Sequence, residues 1–249
     1  MIGHVLVTGG GTGIGKAVAT EMASDHAVSL VGRRIEPLQQ VAATLRQGAA
    51  FPGDVTDRDV LAGAVDAAKA RFGPITALVA AAGIAATAPV AKTDRALLQR
   101  LFAVNVEGVL NAIQLVLPAM LDKGSGRIVV VASTAALKGY AYAGAYAASK
   151  HAVLGLVRSL ALETAKTGVT ANAVCPGFAD TEMTAESIAR IVRKTGRTED
   201  EARATLAATN PMGRLIDPGE VADTVRWLCG SGASAVTGQA IAVAGGEVM

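Results

Sequence analysis

The stretch Thr8-Gly9-Gly10-Gly11-Thr12-Gly13-Ile14-Gly15 separates an apolar run, His4 to Thr8, from a segment with apolar residues at helical spacing, Ile14 to Met22. Glycines at 9, 13 and 15 permit a tight turn, a close backbone approach to an anion and close helix packing. A helix that starts here aims free amide groups at that anion. Strand, glycine-rich turn and helix in this order point to a pyrophosphate cradle for a dinucleotide, formed by Gly9, Thr12, Gly13, Ile14 and Gly15. The alternative is a plain structural turn.

Outward from this loop the pattern repeats. Runs rich in Val, Ile, Leu and Ala recur at about Ala27 to Val31, Ala49 to Gly53, Ala77 to Ala81, Arg127 to Ala132, Val169 to Val174 and Gln239 to Val243. Segments of helical periodicity lie between most of them: Leu38 to Leu45, Val60 to Ala70, Leu97 to Leu121, Ala147 to Thr164 and Val221 to Leu228. Strands alternating with helices predict an α/β fold, a Rossmann-type doubly wound parallel sheet of about seven strands with helices on both faces. Without internal repeats or Pro/Ser-rich linkers, residues 1–249 are expected to form a single domain. Ligands of such a fold sit at the carboxyl ends of its strands.

Composition narrows the function classes. Hydrophobic residues make up 51% of the chain, enough for a large core, yet the apolar stretch Ala77 to Ala91 is broken by Gly83, Thr87 and Pro89 and falls short of a membrane span. Aromatics at 3% and a net charge of +2 point away from nucleic acid. Cys175 and Cys229 lie far apart, and His4, His26 and His151 are isolated, so neither a disulfide framework nor a metal site is expected. The opening MIGHVLVTGG has no charged leader and hydrophobic signal core, which predicts a cytoplasmic protein.

Further residues extend the cradle. The second strand ends Val31-Gly32-Arg33-Arg34, with Gly32 where an acid would bind the ribose of NAD. Arg33 and Arg34 can instead take a 2′-phosphate, which favours NADP(H). Glu36 lies about 20 residues beyond the glycines, within range of the ribose, and keeps NAD(H) open. Asp54, beside Val55, is placed either to accept from an adenine amine or to cap the helix starting near Asp57. Ala80-Ala81-Ala82-Gly83 has side chains small enough for a ribose to lie against the backbone; dense sheet packing is the other reading.

All three tyrosines, Tyr140, Tyr142 and Tyr146, fall in KGYAYAGAYAASK, and Tyr146 stands four residues before Lys150. On a helix this step puts phenol and ammonium on one face, where the charge favours phenolate. A free phenol titrates at about 10, so a neighbouring cation is a natural device for tuning it.

These features together resemble the short-chain dehydrogenase/reductase family over essentially the whole chain. The resemblance rests on TGGGTGIG at 8–15, Asp54-Val55, Asn105-Val106-Glu107-Gly108, Ser133 thirteen residues before Tyr146, YAASK at 146–150, and Pro176-Gly177 with Thr181. One departure is the lack of an asparagine in Ala80-Ala81-Ala82-Gly83. The resemblance implies that Tyr146 is the general acid in reduction and the base in oxidation, and that Ser133 hydrogen-bonds the substrate carbonyl. It implies that Lys150 holds the nicotinamide ribose and lowers the tyrosine pKa, while Asn105 positions a water relaying protons to Lys150. Ala81, Gly83, Pro176, Gly177 and Thr181 are carried over as cofactor contacts. The chemistry agrees: hydride arriving at a carbonyl carbon leaves charge on oxygen, which needs a donor and a proton within about 3 Å.

An insertion at about 179–215 reads as two short helices joined around Thr195 to Asp200, forming a substrate lid, with Thr198 and Glu201 as a capping box. Arg190, Arg193, Lys194 and Arg197 make a basic stripe, either a solvated face or a guide for the phosphates of coenzyme A or a carrier-protein phosphopantetheine. The lid and the ending VTGQAIAVAGGEVM look like those of 3-oxoacyl-thioester reductases and hydroxyacyl-CoA dehydrogenases. This predicts NADP(H)-linked reduction of a 3-oxoacyl thioester of acyl carrier protein or CoA. Leu137, Tyr142, Phe178 and Met183 are candidate pocket walls. An NAD-linked alcohol, polyol or hydroxysteroid dehydrogenase is a second reading, and a non-catalytic nucleotide sensor a third. A homotetramer is expected from the family and from the apolar helices Leu97 to Leu121 and Ala147 to Thr164.

Overall fold

The apolar runs become seven parallel strands in a computed structural model that describes residues 3–249. They are β1 (Gly3–Thr8), β2 (His26–Gly32), β3 (Gly48–Pro52), β4 (Ala77–Ala80), β5 (Gly126–Val131), β6 (Val169–Pro176) and β7 (Ala240–Val243). Their order in the sheet is β3-β2-β1-β4-β5-β6-β7. The order reverses between β1 and β4, and a parallel sheet opens a crevice at such a switch point. Pairings of Thr8 with Ala80, Ala80 with Val130 and Val131 with Val174 bring four strand ends level there.

Among the described residues the chain forms nine α-helices: α1 (Gly13–Met22), α2 (Ile35–Thr44), α3 (Arg58–Phe72), α4 (Arg95–Phe102), α5 (Gly108–Lys123), α6 (Gly144–Thr164), α7 (Glu182–Thr195), α8 (Glu199–Ala207) and α9 (Pro218–Cys229). On one face Leu61 and Val65 of α3, Val109 and Val116 of α5, and Val153 and Val157 of α6 pack on Leu78, Ile128 and Ala173. On the other, Val18 of α1, Leu38 of α2 and Val221 of α9 pack on Val5, Leu30 and Val174. Strands buried on both faces need continuous apolar runs, which is why β4, ALVA, is buried at every residue.

The segment of helical periodicity from Leu97 to Leu121 is α4 and α5 joined by a π-turn over Ala103–Glu107. Inserted π-turns often mark functional sites, and Asn105 lies within this one. The helical run Arg95–Lys123 is long enough to cross a membrane and includes a window of 18 residues with a mean hydropathy of 1.5. Leu101, Val109, Ala112, Ile113, Val116 and Met120 nevertheless lie buried in the fold.

The insertion forms α7 and α8, with the expected capping box: Thr198 Oγ1 accepts from Glu201 N and Glu201 accepts in return from Thr198 N. Ile188, Ala202, Leu206 and Leu215 give it a small core of its own.

Candidate active site

Elementary sterics explain the glycine loop. Gly9 has φ +71°, and a Cβ there would lie 2.8 Å from Ala82 N. The φ of Gly13 is +51°, and a Cβ on Gly15 would lie 2.2 Å from Gly9 O. L-side chains fit none of these positions without a shift. Thr12 is extended at the N-terminus of α1 and its side chain makes no cap bond, so the first amides of the helix are left to an anion. Across the loop, Thr181 at the start of α7 faces Gly13: its methyl would lie 3.3 Å from a Cβ built there.

Arg33 and Arg34 are exposed at the end of β2, and Glu36 is exposed in the first turn of α2. Asp57, not Asp54, caps α3, accepting from Asp59 N and Val60 N. Asp54 Oδ1 accepts from Thr56 N at 2.9 Å and Thr56 Oγ1 at 2.8 Å. The Thr56 amide, with its hydroxyl and the Arg33 charge, holds the Asp54 carboxyl below its usual range against partial burial. Val55 is buried beneath Gly108. Ala81 N donates to Thr8 O at 3.2 Å, just beyond the end of β4.

Three structural elements carry the residues expected to handle protons. Ser133 follows β5, Tyr146 and Lys150 lie on the first turns of α6, and Asn105 sits in the π-turn. The Ser133 hydroxyl lies near the Tyr146 phenol and opposes the effect of burial on it, and Ser133 Oγ accepts from Ala135 N at 3.1 Å. Lys150 Nζ, buried, donates to Val131 O at 3.1 Å and stands 5.9 Å from the Tyr146 ring centroid. Burial pushes the Tyr146 phenol up, the nearby Ser133 hydroxyl opposing it, and pushes the Lys150 ammonium down to about 8. Desolvation, not the ammonium one helical turn away, therefore dominates the phenol in the protein by itself.

Asn105 is 1% exposed and fully engaged. Its Oδ1 accepts from Ile84 N at 2.9 Å, and Nδ2 donates to Ile84 O and Ser149 Oγ, each at 3.0 Å. A Cβ on Gly83 would lie 3.3 Å from Asn105 Oδ1 and 3.7 Å from Lys150 Nζ. A glycine here thus keeps open the space between amide and ammonium. Ser149, whose hydroxyl donates to Tyr146 O, and the Val131 carbonyl are members of the site that sequence reasoning missed. The serine stands in plain view in YAASK, but nothing in its spacing shows that it faces Asn105.

The expected pocket walls divide into two groups. Tyr142, with φ +65°, and Met183 are exposed. Leu137 packs against the main core and Phe178 against the small core of the insertion. Pro176 ends β6, and Gly177 N donates to Val243 O. On α7, Arg190 Nη1 donates to Thr87 Oγ1 at 3.1 Å, while Arg193 and Lys194 are exposed.

Comparison with known proteins agrees with this geometry. The short chain dehydrogenase family model matches residues 3–191. Cis-4-hydroxycyclohexanecarboxylate dehydrogenase of Sinomonas cyclohexanicum is 38% identical over 97% of this chain and 94% of its own. A 3-oxoacyl-[acyl-carrier-protein] reductase of Thermotoga maritima is 32% identical over 98% of this chain and 97% of its own. A tryptophan variant of actinorhodin polyketide ketoreductase, solved with NADPH, superposes with a TM-score of 0.95 at 36% identity, covering 98% of this chain and 97% of that one. The cradle of amides, the uncapped start of α1 and the Ser133, Tyr146 and Lys150 cluster fit a nicotinamide dinucleotide. The chain belongs to the short chain dehydrogenase family and is an oxidoreductase that interconverts keto and alcohol groups with a nicotinamide cofactor.

Proposed function

We propose that the protein reduces the keto group of a 3-oxoacyl thioester, of CoA or an acyl carrier protein, to the 3-hydroxyacyl form with NADPH. The observation that carries the chemistry is Tyr146, with the Ser133 hydroxyl near it and the buried Lys150 ammonium 5.9 Å from its ring centroid. Support for the substrate comes from the ketoacyl reductases among the relatives and from the exposed Arg193 and Lys194 on α7.

Gly9, Thr12, Gly13, Ile14 and Gly15 hold the pyrophosphate, Arg33 and Arg34 the 2′-phosphate, and Asp54, Val55, Ala81 and Gly83 the adenosine and ribose side. Lys150 and Tyr146 hold the nicotinamide ribose, and Pro176, Gly177 and Thr181 the nicotinamide end. A bound nicotinamide supplies the hydride. The chain supplies the proton. Because burial raises the Tyr146 phenol, it stays protonated at neutral pH, the state a general acid needs for reduction. A substrate oxygen entering between Ser133 and Tyr146 takes a hydrogen bond from each hydroxyl, so charge developing on it is stabilised before the proton moves. Once Tyr146 has lost its proton, the Lys150 ammonium stabilises the phenolate, and water in the space by Gly83, Asn105 and Lys150 returns a proton.

Neutralising Arg193 and Lys194 together should raise KM for a CoA thioester at least about ten-fold while leaving KM for a small uncharged ketone nearly unchanged. Equal effects on both would refute the thioester assignment. An NAD-linked alcohol dehydrogenase is the second reading, favoured by the hydroxycyclohexanecarboxylate dehydrogenase among the relatives; a preference for NADH in turnover would support it. The protein is further proposed to be cytoplasmic, with both cysteines free, and tetrameric, with Leu121 of α5 and Leu162 of α6 exposed for subunit contact.

A further inference from the structure

Behind Ser133 lies a polar cluster to which none of the steps above assigns a role. Thr134, Lys138 and Tyr140 come from the loop after β5; Glu247 comes from the tail beyond β7. Tyr140 Oη donates to Glu247 Oε1 at 2.6 Å and stands 2.5 Å from Thr134 Oγ1. Lys138 Nζ is 3.3 Å from the same carboxylate oxygen, donates to Glu247 O at 3.2 Å and lies 4.9 Å from the Tyr140 ring centroid.

A phenol has one proton, and a carboxylate can only accept, so the bonds have a direction: Thr134 donates to Tyr140, and Tyr140 donates to Glu247. Burial and the carboxylate both hold the Tyr140 phenol well above its ordinary value, keeping that proton in place. The Glu247 side chain is 1% exposed. Its second oxygen, Oε2, is buried without a partner and would lie 3.0 Å from a Cβ on Gly177. A buried carboxylate with one oxygen unbonded is costly, and an apolar residue would fill the same volume at lower cost. Glu247 therefore abuts two segments of the active site, the loop after β5 through Tyr140 and Thr134, and the residues after β6 through Gly177.

We propose that Glu247 is a positioning residue of the reaction: through Tyr140 and Thr134 it fixes the Ser133 hydroxyl opposite Tyr146, and against Gly177 it fixes the segment that closes the nicotinamide end. The last residues of the chain are thus part of the framework of the active site. This rests on the assignment of Ser133 and Tyr146 given above.

The test uses the intact chain, a ketone substrate and NADPH, with kcat, KM, NADPH Kd from cofactor fluorescence and the thermal midpoint read for each variant. Glu247→Ala and Tyr140→Phe should each lower kcat about ten-fold, with NADPH Kd changed by less than about two-fold in Tyr140→Phe, which leaves the contact of Glu247 with Gly177 in place. The double variant should be no worse than the poorer single one, because both remove the same linkage. Glu247→Gln retains an acceptor for Tyr140 and should restore kcat to within about three-fold of the unchanged protein. Undiminished kcat in Glu247→Ala and Tyr140→Phe, multiplying effects in the double variant, or a glutamine no better than alanine would each overturn the proposal. Should Glu247→Ala not fold, Tyr140→Phe and Glu247→Gln decide the same question. Ser133→Ala, run in parallel, separates the two levels: full activity there sinks the active-site assignment itself, whereas its loss beside an unaffected Tyr140→Phe sinks only the role of Glu247.

Discussion

Replacing Lys150 by methionine should abolish activity yet make the cofactor-free protein more stable at neutral pH. The ammonium is buried and its pKa is brought from 10.5 to about 8 by desolvation. At about 1.4 kcal/mol per pH unit, keeping it charged in the fold costs roughly 3 kcal/mol. The sign follows from proton counts. Below about pH 8 Lys150 is charged in both states and the whole cost is present. Between about 8 and 10.5 the folded form gives up its proton while the unfolded chain keeps it, so this contribution to stability rises with pH. Methionine removes the charge but also the bond to Val131 O, leaving a carbonyl unsatisfied at a cost of about 1 kcal/mol. The net gain at pH 7 is then about 2 kcal/mol, which for a chain of this size raises Tm by roughly 4–8 °C. Urea denaturation of both proteins at pH 7 and pH 9.5 checks it. The gap should narrow at the higher pH, and a variant less stable at both values would refute the reasoning.

Gly15→Ala places a methyl 2.2 Å from Gly9 O, so the loop must move. About 1–3 kcal/mol of stability and at least about ten-fold in NADPH affinity should be lost, measured by denaturation and fluorescence titration. Asn105→Ala strips the partners from Ile84 N, Ile84 O and Ser149 Oγ and should destabilise by about 2–4 kcal/mol while lowering kcat; a stability change below about 0.5 kcal/mol would show that water replaces the amide. Converting Arg33 and Arg34 to serine should raise KM for NADPH at least about ten-fold and leave NADH within about three-fold; equal changes would remove the 2′-phosphate assignment.

The sheet is legible in the sequence because strands buried on both faces require unbroken apolar runs, and β1 to β7 lie within a few residues of the segments those runs mark. The glycine loop is legible because positive φ at Gly9 and Gly13 and the contact of Gly15 with Gly9 leave few other residues possible. The π-turn is not, since Leu97 to Leu121 keeps a continuous helical period and one extra residue per turn leaves no mark in composition. Nor is the relation of phenol to ammonium. Spacing on α6 predicts that they share a face, but the direction in which each titrates depends on burial, which only the assembled sheet and helices supply. Glu247 is illegible for a different reason, because its partners Lys138 and Tyr140 lie more than a hundred positions away in the chain.

The account depends most on Tyr146 as the group that gives a proton to the carbonyl oxygen. Its most direct test is turnover of a ketone by Tyr146→Phe, followed by NADPH absorbance, with NADPH Kd measured on the same sample. The account predicts a loss of at least about a hundred-fold in kcat with Kd within about three-fold of the unchanged protein. Undiminished kcat in that variant would contradict it.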